Sequence, residues 1–112
     1  MEMAPALGYI RTDISGVRQR WEETQMRSLA KRLGYNLTKT VALSKATDDP
    51  VGLLLGQIAR SKAEAVFVPA LAHLAGDHER VISRADVIVS ADEVYARWPP
   101  LARLLNGETD PR

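Results

Sequence analysis

The stretch that most limits what this chain can become is Ala65, Val66, Phe67 and Val68, closed by Pro69. Four consecutive apolar residues leave no polar side to turn towards water, so as a strand they need apolar cover on both faces. That is the place of a central strand in a parallel sheet. Parallel neighbours in turn need crossover connections long enough to hold a helix. The rest of the chain should therefore alternate strands with amphipathic helices.

The pattern fits. Residues 7–11 read as a short apolar strand running into the polar turn Arg11, Thr12, Asp13, Ile14 and Ser15. A helix follows over residues 17–33, with Val17, Trp21, Leu29, Ala30 and Leu33 on one face and Met26 towards its flank. Arg18, Arg20, Glu22, Glu23, Arg27, Lys31 and Arg32 cover the rest as a solvated face. Ser15 or Asp13 is placed to cap its start, and Gly34 to stop it. Residues 37–43 alternate as a second strand. Asp49 as cap and Pro50 at the first helical position start the next helix, whose buried stripe is Val51, Leu54, Leu55, Ile58 and Ala59. Gly52 and Gly56, four apart on it, would permit close helix packing. After the apolar strand comes a loop of small residues over 70–76, then a helix over 77–84 that turns Val81 and Ile82 inward. A strand over 86–90 follows, and a short helical turn over 92–97. Trp98, Pro99 and Pro100 break the chain before a last possible turn at 101–105 and a frayed end.

The order β-α-β-α-β-α-β predicts an α/β three-layer sandwich on a mostly parallel sheet of roughly four strands. At 112 residues this is one domain, set at residues 1–98, with a tail over 99–112. Cysteine is absent, which excludes disulfides, thiolate metal sites and thiol catalysis. A net charge of +1 gives no argument for nucleic acid by itself. With no leader-like start and no apolar run near the ~20 residues of a membrane span, a cytoplasmic protein away from membranes is expected. There is no glycine-rich phosphate loop. His73 and His78 are expected at the surface rather than on a metal, and no cofactor is implied.

With that order of elements, Gly8, Tyr9, Ile10 and Arg11 resemble the "GYxR" strand that opens the catalytic domain of the serine recombinases, the resolvases and invertases. Gln25, Leu29 and Gly34–Tyr35 resemble that family's first helix, and Asp49–Pro50 with Leu54 and Leu55 the start of its second. Val66–Val68 running into Leu71–Leu74 is similar to its "vvvxxLDRLxR" strand and loop, and residues 86–89 fit the next strand. The resemblance covers residues 7–90 and implies a resolvase-like fold. It also implies a chemistry in which a serine hydroxyl attacks a DNA phosphodiester and arginines stabilise the charge that develops.

This chain departs from that chemistry at almost every position. Asp13 stands at the nucleophile's place, where a carboxylate would repel the phosphate. Asp49 stands where the family has an arginine before the proline. In the loop motif the aspartate is replaced by Ala72 and the arginines by His73 and Gly76, so Arg11 alone remains. Arg11 is expected to pair with Asp13 or Asp49, and Ser15 to serve as a helix cap rather than a substitute nucleophile. Residues 98–112 are too few for the family's dimerisation helix and helix-turn-helix.

The expected function is therefore that of a catalytically defective resolvase-like domain, an adaptor or regulator acting through protein–protein contacts. Trp98, Leu101, Leu104 and Leu105 are the candidates for a homodimer interface, or for packing of the tail on its own domain. The alternative is a DNA-binding or recombination protein that still engages phosphodiesters through Arg11. A flavodoxin-like small-molecule binder has fold analogy alone behind it.

Overall fold

The computed structural model describes residues 3–90 and 97–98. Strand β1 (Ala4–Arg11) lies between β2 (Tyr35–Leu43) and β3 (Ala65–Val68), and β4 (Asp86–Val89) follows, all four parallel. A two-residue strand β5 (Arg97–Trp98) runs antiparallel on β4, giving the order β2-β1-β3-β4-β5. The protein is thus an α/β three-layer sandwich.

Both faces of the sheet are covered, as the apolar run demanded. All four residues of β3 are buried, and so are Ala6 to Ile10 of β1. Their side chains alternate with the period of two that a pleated strand imposes. Leu7, Tyr9, Val66, Val68 and Val87 pack on Val51, Leu54 and Ile58 of helix α3 (Pro50–Ser61), with Val81 of helix α4 (His78–Ile82). Ala6, Ile10, Ala65, Phe67 and Ile88 pack on Met26, Leu29 and Ala30 of helix α2 (Gln19–Arg32). Gly8 marks the closest approach on that second face. A Cβ there would stand 2.7 Å from Thr40 Oγ1 and 3.0 Å from Met26 Cε.

Helix α3 starts as its sequence requires. The Asp49 carboxylate accepts the Gly52 N–H at 3.1 Å, and Pro50 occupies the first turn, where no N–H is needed. Leu55 is half-buried, but Ala59 is exposed, because the stripe that meets the sheet closes at Ile58. Gly56 meets no neighbouring element, its nearest atom being an Arg60 guanidinium nitrogen, so the glycine pair does not serve helix packing.

Helix α2 differs from expectation. A single turn of helix, α1 (Thr12–Ser15), comes first, and a 3-10 turn (Gly16–Arg18) separates it from α2. Gly16 has φ +53°, a left-handed conformation that breaks the helix before it has properly begun. Val17 is fully exposed and Trp21 is 55% exposed, so neither joins the core. The core-facing row is Glu22, Met26, Leu29, Ala30 and Leu33, with Met26 at its centre rather than its flank. Counting back from Leu29 by helical steps reaches Glu22 as readily as Trp21, and the structure takes the carboxylate.

Helix α4 is shorter than residues 77–84, since Ser83 and Arg84 close it in a tight turn. Arg97 lies in strand β5, not in a helical turn, because its backbone pairs with Ile88. The remainder of that expected turn, residues 92–96, lies outside the described residues, as do Leu101, Leu104, Leu105 and the end of the chain. Among the described residues no helix is long and apolar enough to cross a membrane.

Candidate functional site

The polar residues at the carboxyl end of β1 collect into two linked groups. The first is built on Arg11. Its Nε donates to Asp13 Oδ1 at 2.8 Å and its Nη2 to Asp13 Oδ2 at 2.7 Å, a two-pronged pair. Asp13 also accepts the Lys45 backbone N–H at 3.0 Å, which ties the turn after β1 to the end of β2. The hydrogen bonds from the Arg11 guanidinium hold the Asp13 carboxyl well below the usual carboxylate range, and the same contact raises the Arg11 pKa.

The Arg11 backbone N–H donates to His73 Nδ1 at 3.0 Å. That bond places the imidazole proton on Nε2. His73 sits in a 3-10 turn (Leu71–Leu74) folded back under the end of β1, and it is buried rather than at the surface. The reason is the last residue of β1, which lies beyond the final β1–β3 pair, Gly8 with Phe67, and whose N–H takes the imidazole as acceptor. Burial lowers the His73 pKa; the Glu22 charge opposes this and Arg11 adds to it.

The second group is Ser15 with Glu22. Ser15 is buried, and its hydroxyl donates to Glu22 Oε1. Glu22 also faces Arg18 Nε at 3.6 Å. Neither Ser15 nor Asp13 caps the helix through its side chain. Both side chains are already committed, one to a glutamate seven residues further on and one to Arg11.

Asp49 belongs elsewhere. Besides capping α3 it pairs with Arg80, at 3.0 Å to Nη1 and 3.3 Å to Nη2, and Arg80 also reaches Asp77 at 3.4 Å. These bonds from Arg80 lower the Asp49 pKa. The structure therefore unites Arg11, Asp13 and His73, sets Ser15 with Glu22 beside them, and gives Asp49 a separate role. Ala72 and Gly76 are exposed and contribute no functional group, Gly76 serving a turn at φ +84°.

Between these groups lies the Tyr9 phenol. It is fully buried, its hydroxyl has no hydrogen-bond partner among the described residues, and burial raises its pKa. Arg11, Asp13 and Asp49 all act on it electrostatically. Among the described residues no three His, Asp or Glu side chains come together in a way that could hold a metal ion.

Sequence reasoning missed Glu22, Lys45 and Arg80. Glu22 sits among alternating charges that look like a solvated face, and Arg80 meets Asp49 across 31 positions without any local cue. Compared with known protein families, curated proteins and solved structures, this chain matches none of them.

Proposed function

We propose that this protein is a resolvase-like domain without strand-transfer activity, and that it works through contacts with other protein chains, copies of itself included. The observation that carries the reading is the Arg11–Asp13 fork. An arginine that is to steady a phosphoryl group must offer its N–H groups to the phosphate oxygens. Here Nε and Nη2 are held by Asp13, which stands in the nucleophile's place. Asp13 brings a negative charge to the spot a phosphodiester would occupy, and like charges there oppose binding. Ser15 does not replace the lost nucleophile. Its hydroxyl proton is given to Glu22 and the residue is shut away from solvent, out of reach of a DNA backbone.

The protein-contact part of the reading draws support from surface chemistry. Ile14, Val17 and Trp21 place large apolar side chains in water at the junction of α1 and α2. Large apolar side chains exposed this close together along the chain are the material of an interaction surface.

Incubation with supercoiled plasmid tests the catalytic part. No nicked circle and no covalent protein–DNA adduct should form, at low salt or high. A product that Ser15→Ala abolishes would overturn the reading. A gel-shift titration across salt checks DNA engagement, with no shift expected; a shift lost in Arg11→Ala would favour phosphodiester binding instead. Light scattering at two concentrations should give a mass above 12.4 kDa at the higher one.

A further inference from the structure

His73 holds a position that suits only its neutral form. Its Nδ1 accepts the Arg11 N–H at 3.0 Å, so its single proton sits on Nε2. A second proton can enter only at Nδ1. There it would face the Arg11 N–H, two donors with no acceptor between them. It would also place a charge on a side chain in a residue only 2% exposed.

The turn that carries His73 has few other ties. Among the described residues, the bond to Arg11 is the hydrogen bond that joins residues 71–75 to another element. The turn's remaining backbone bonds stay between residues 70 and 77. His73 N–H donates to the Ala70 carbonyl at 3.1 Å, Ala75 N–H to Ala72 at 3.0 Å and Asp77 N–H to Leu74 at 2.8 Å. Leu74, fully buried, anchors the turn in the core. Ala75 and Gly76 behind it are both left-handed, at φ +51° and +84°. For Ala75, which has a Cβ, that conformation is a strain that opening relieves.

The charges that act on the ring come from three elements. Burial, the largest effect, and Arg11 of β1 oppose the imidazolium, while Glu22 of α2 and Asp13 of α1 favour it. The balance falls against the charged form. On the side of α3 and α4, Asp49 and Asp77 are both paired with Arg80. Tyr9 of β1 is held as the neutral phenol by burial.

We propose that His73 is a proton-operated latch on the carboxyl end of β1. A proton on Nδ1 frees the Leu71–Leu74 turn and uncovers Leu74 and the Arg11 N–H, while the sheet stays paired. The freed imidazole returns to its ordinary pKa of about 6.5. Below that value each pH unit therefore favours the open turn by up to about tenfold, until the pH passes the closed-state value. The latch does not depend on the protein-contact reading above and stands or falls separately from it.

Amide hydrogen exchange of the full chain tests it, each rate being taken relative to that of an unprotected amide at the same pH. The opening constant of the Arg11 amide should rise between pH 7.5 and pH 5.5, by up to about tenfold. Low concentrations of urea should leave that opening almost unchanged while speeding exchange of the most protected β3 amides, because a local opening exposes little surface. H73Q, which keeps an acceptor but does not titrate, should give an Arg11 opening constant independent of pH. An opening constant in the parent protein that does not change with pH overturns the latch. So does an Arg11 urea slope equal to that of the β3 amides, since the turn would then open only with the whole fold; this comparison needs no variant. A rise that persists in H73Q overturns the assignment, passing the titration to another group such as His78, the second histidine.

Discussion

At the start of α3 the polar Asp49 side chain faces outward while Val51 and Leu54 face inward, with Leu53 alone of the apolar residues there in water, whereas at the start of α2 this is largely reversed. Asp49 caps its own helix from the surface, with Val51 and Leu54 behind it in the core. Ser15 and Glu22 turn inward and hydrogen-bond to each other, while Val17 and Trp21 stay in water. The first arrangement needs only local rules, a cap and a proline followed by a stripe. The second satisfies a polar pair beside the end of β1 and leaves apolar surface outside. Apolar surface held in water costs free energy unless something covers it, so the α2 start is where a partner has most to gain.

The contrast can be broken by substitution. Leu54→Ala, on the α3 side, should have the largest effect, costing about 2–5 kcal/mol of folding stability because it leaves a cavity in the core. Urea denaturation measures this. Glu22→Ala comes next, at about 1–3 kcal/mol, since it strands the buried Ser15 hydroxyl without an acceptor. Adding Ser15→Ala should then recover part of that loss, because the two residues form one unit. A neutral Glu22→Ala would mean that the inward polar pair does not hold the α2 start in place.

A pH effect sharpens the same comparison on the side of the Arg11 group. The folded pKa of His73 is lowered, so the unfolded chain binds its proton more readily. Stability from this group is fully present above the unfolded value of about 6.5 and is lost as pH falls below it. Stability measured from pH 7 to pH 5 should fall, and fall less in His73→Gln. An equal slope in the two proteins would place the imidazole outside the folded core. The smallest stability effect is expected for Trp21→Ala, within about 0.5 kcal/mol for the isolated monomer, as at other surface positions.

Sequence and structure agree on β3 and on the start of α3, but not on every local reading, since neither Ser15 nor Asp13 caps α2. The apolar run of β3, the Asp49–Pro50 start and the alternation of strands and helices along the chain could all be read in advance, because burial on two faces and capping leave local marks; the order of strands across the sheet was not among the expectations. The Arg11–Asp13 pair was likewise among the expectations, its members being two residues apart. The phase of α2 was not legible. It turns on whether Trp21 or Glu22 faces the sheet, and hydrophobicity favours the wrong one. Glu22 is inside because Ser15, seven positions earlier, supplies a donor once Gly16 has turned the chain. The burial of His73 depends on one N–H at the end of β1, 62 positions away. Contacts of that range have no periodicity to betray them.

The central claim is that Asp13 already fills the place beside Arg11 that a phosphodiester would need. The Arg11 Nε–H resonance in ¹⁵N-edited NMR reports on that place directly. Titration with a short phosphodiester oligonucleotide at low salt should leave it unmoved in the parent protein, and should shift it in Asp13→Asn, where the carboxylate charge is gone. A saturable shift of Arg11 in the parent protein would contradict the account.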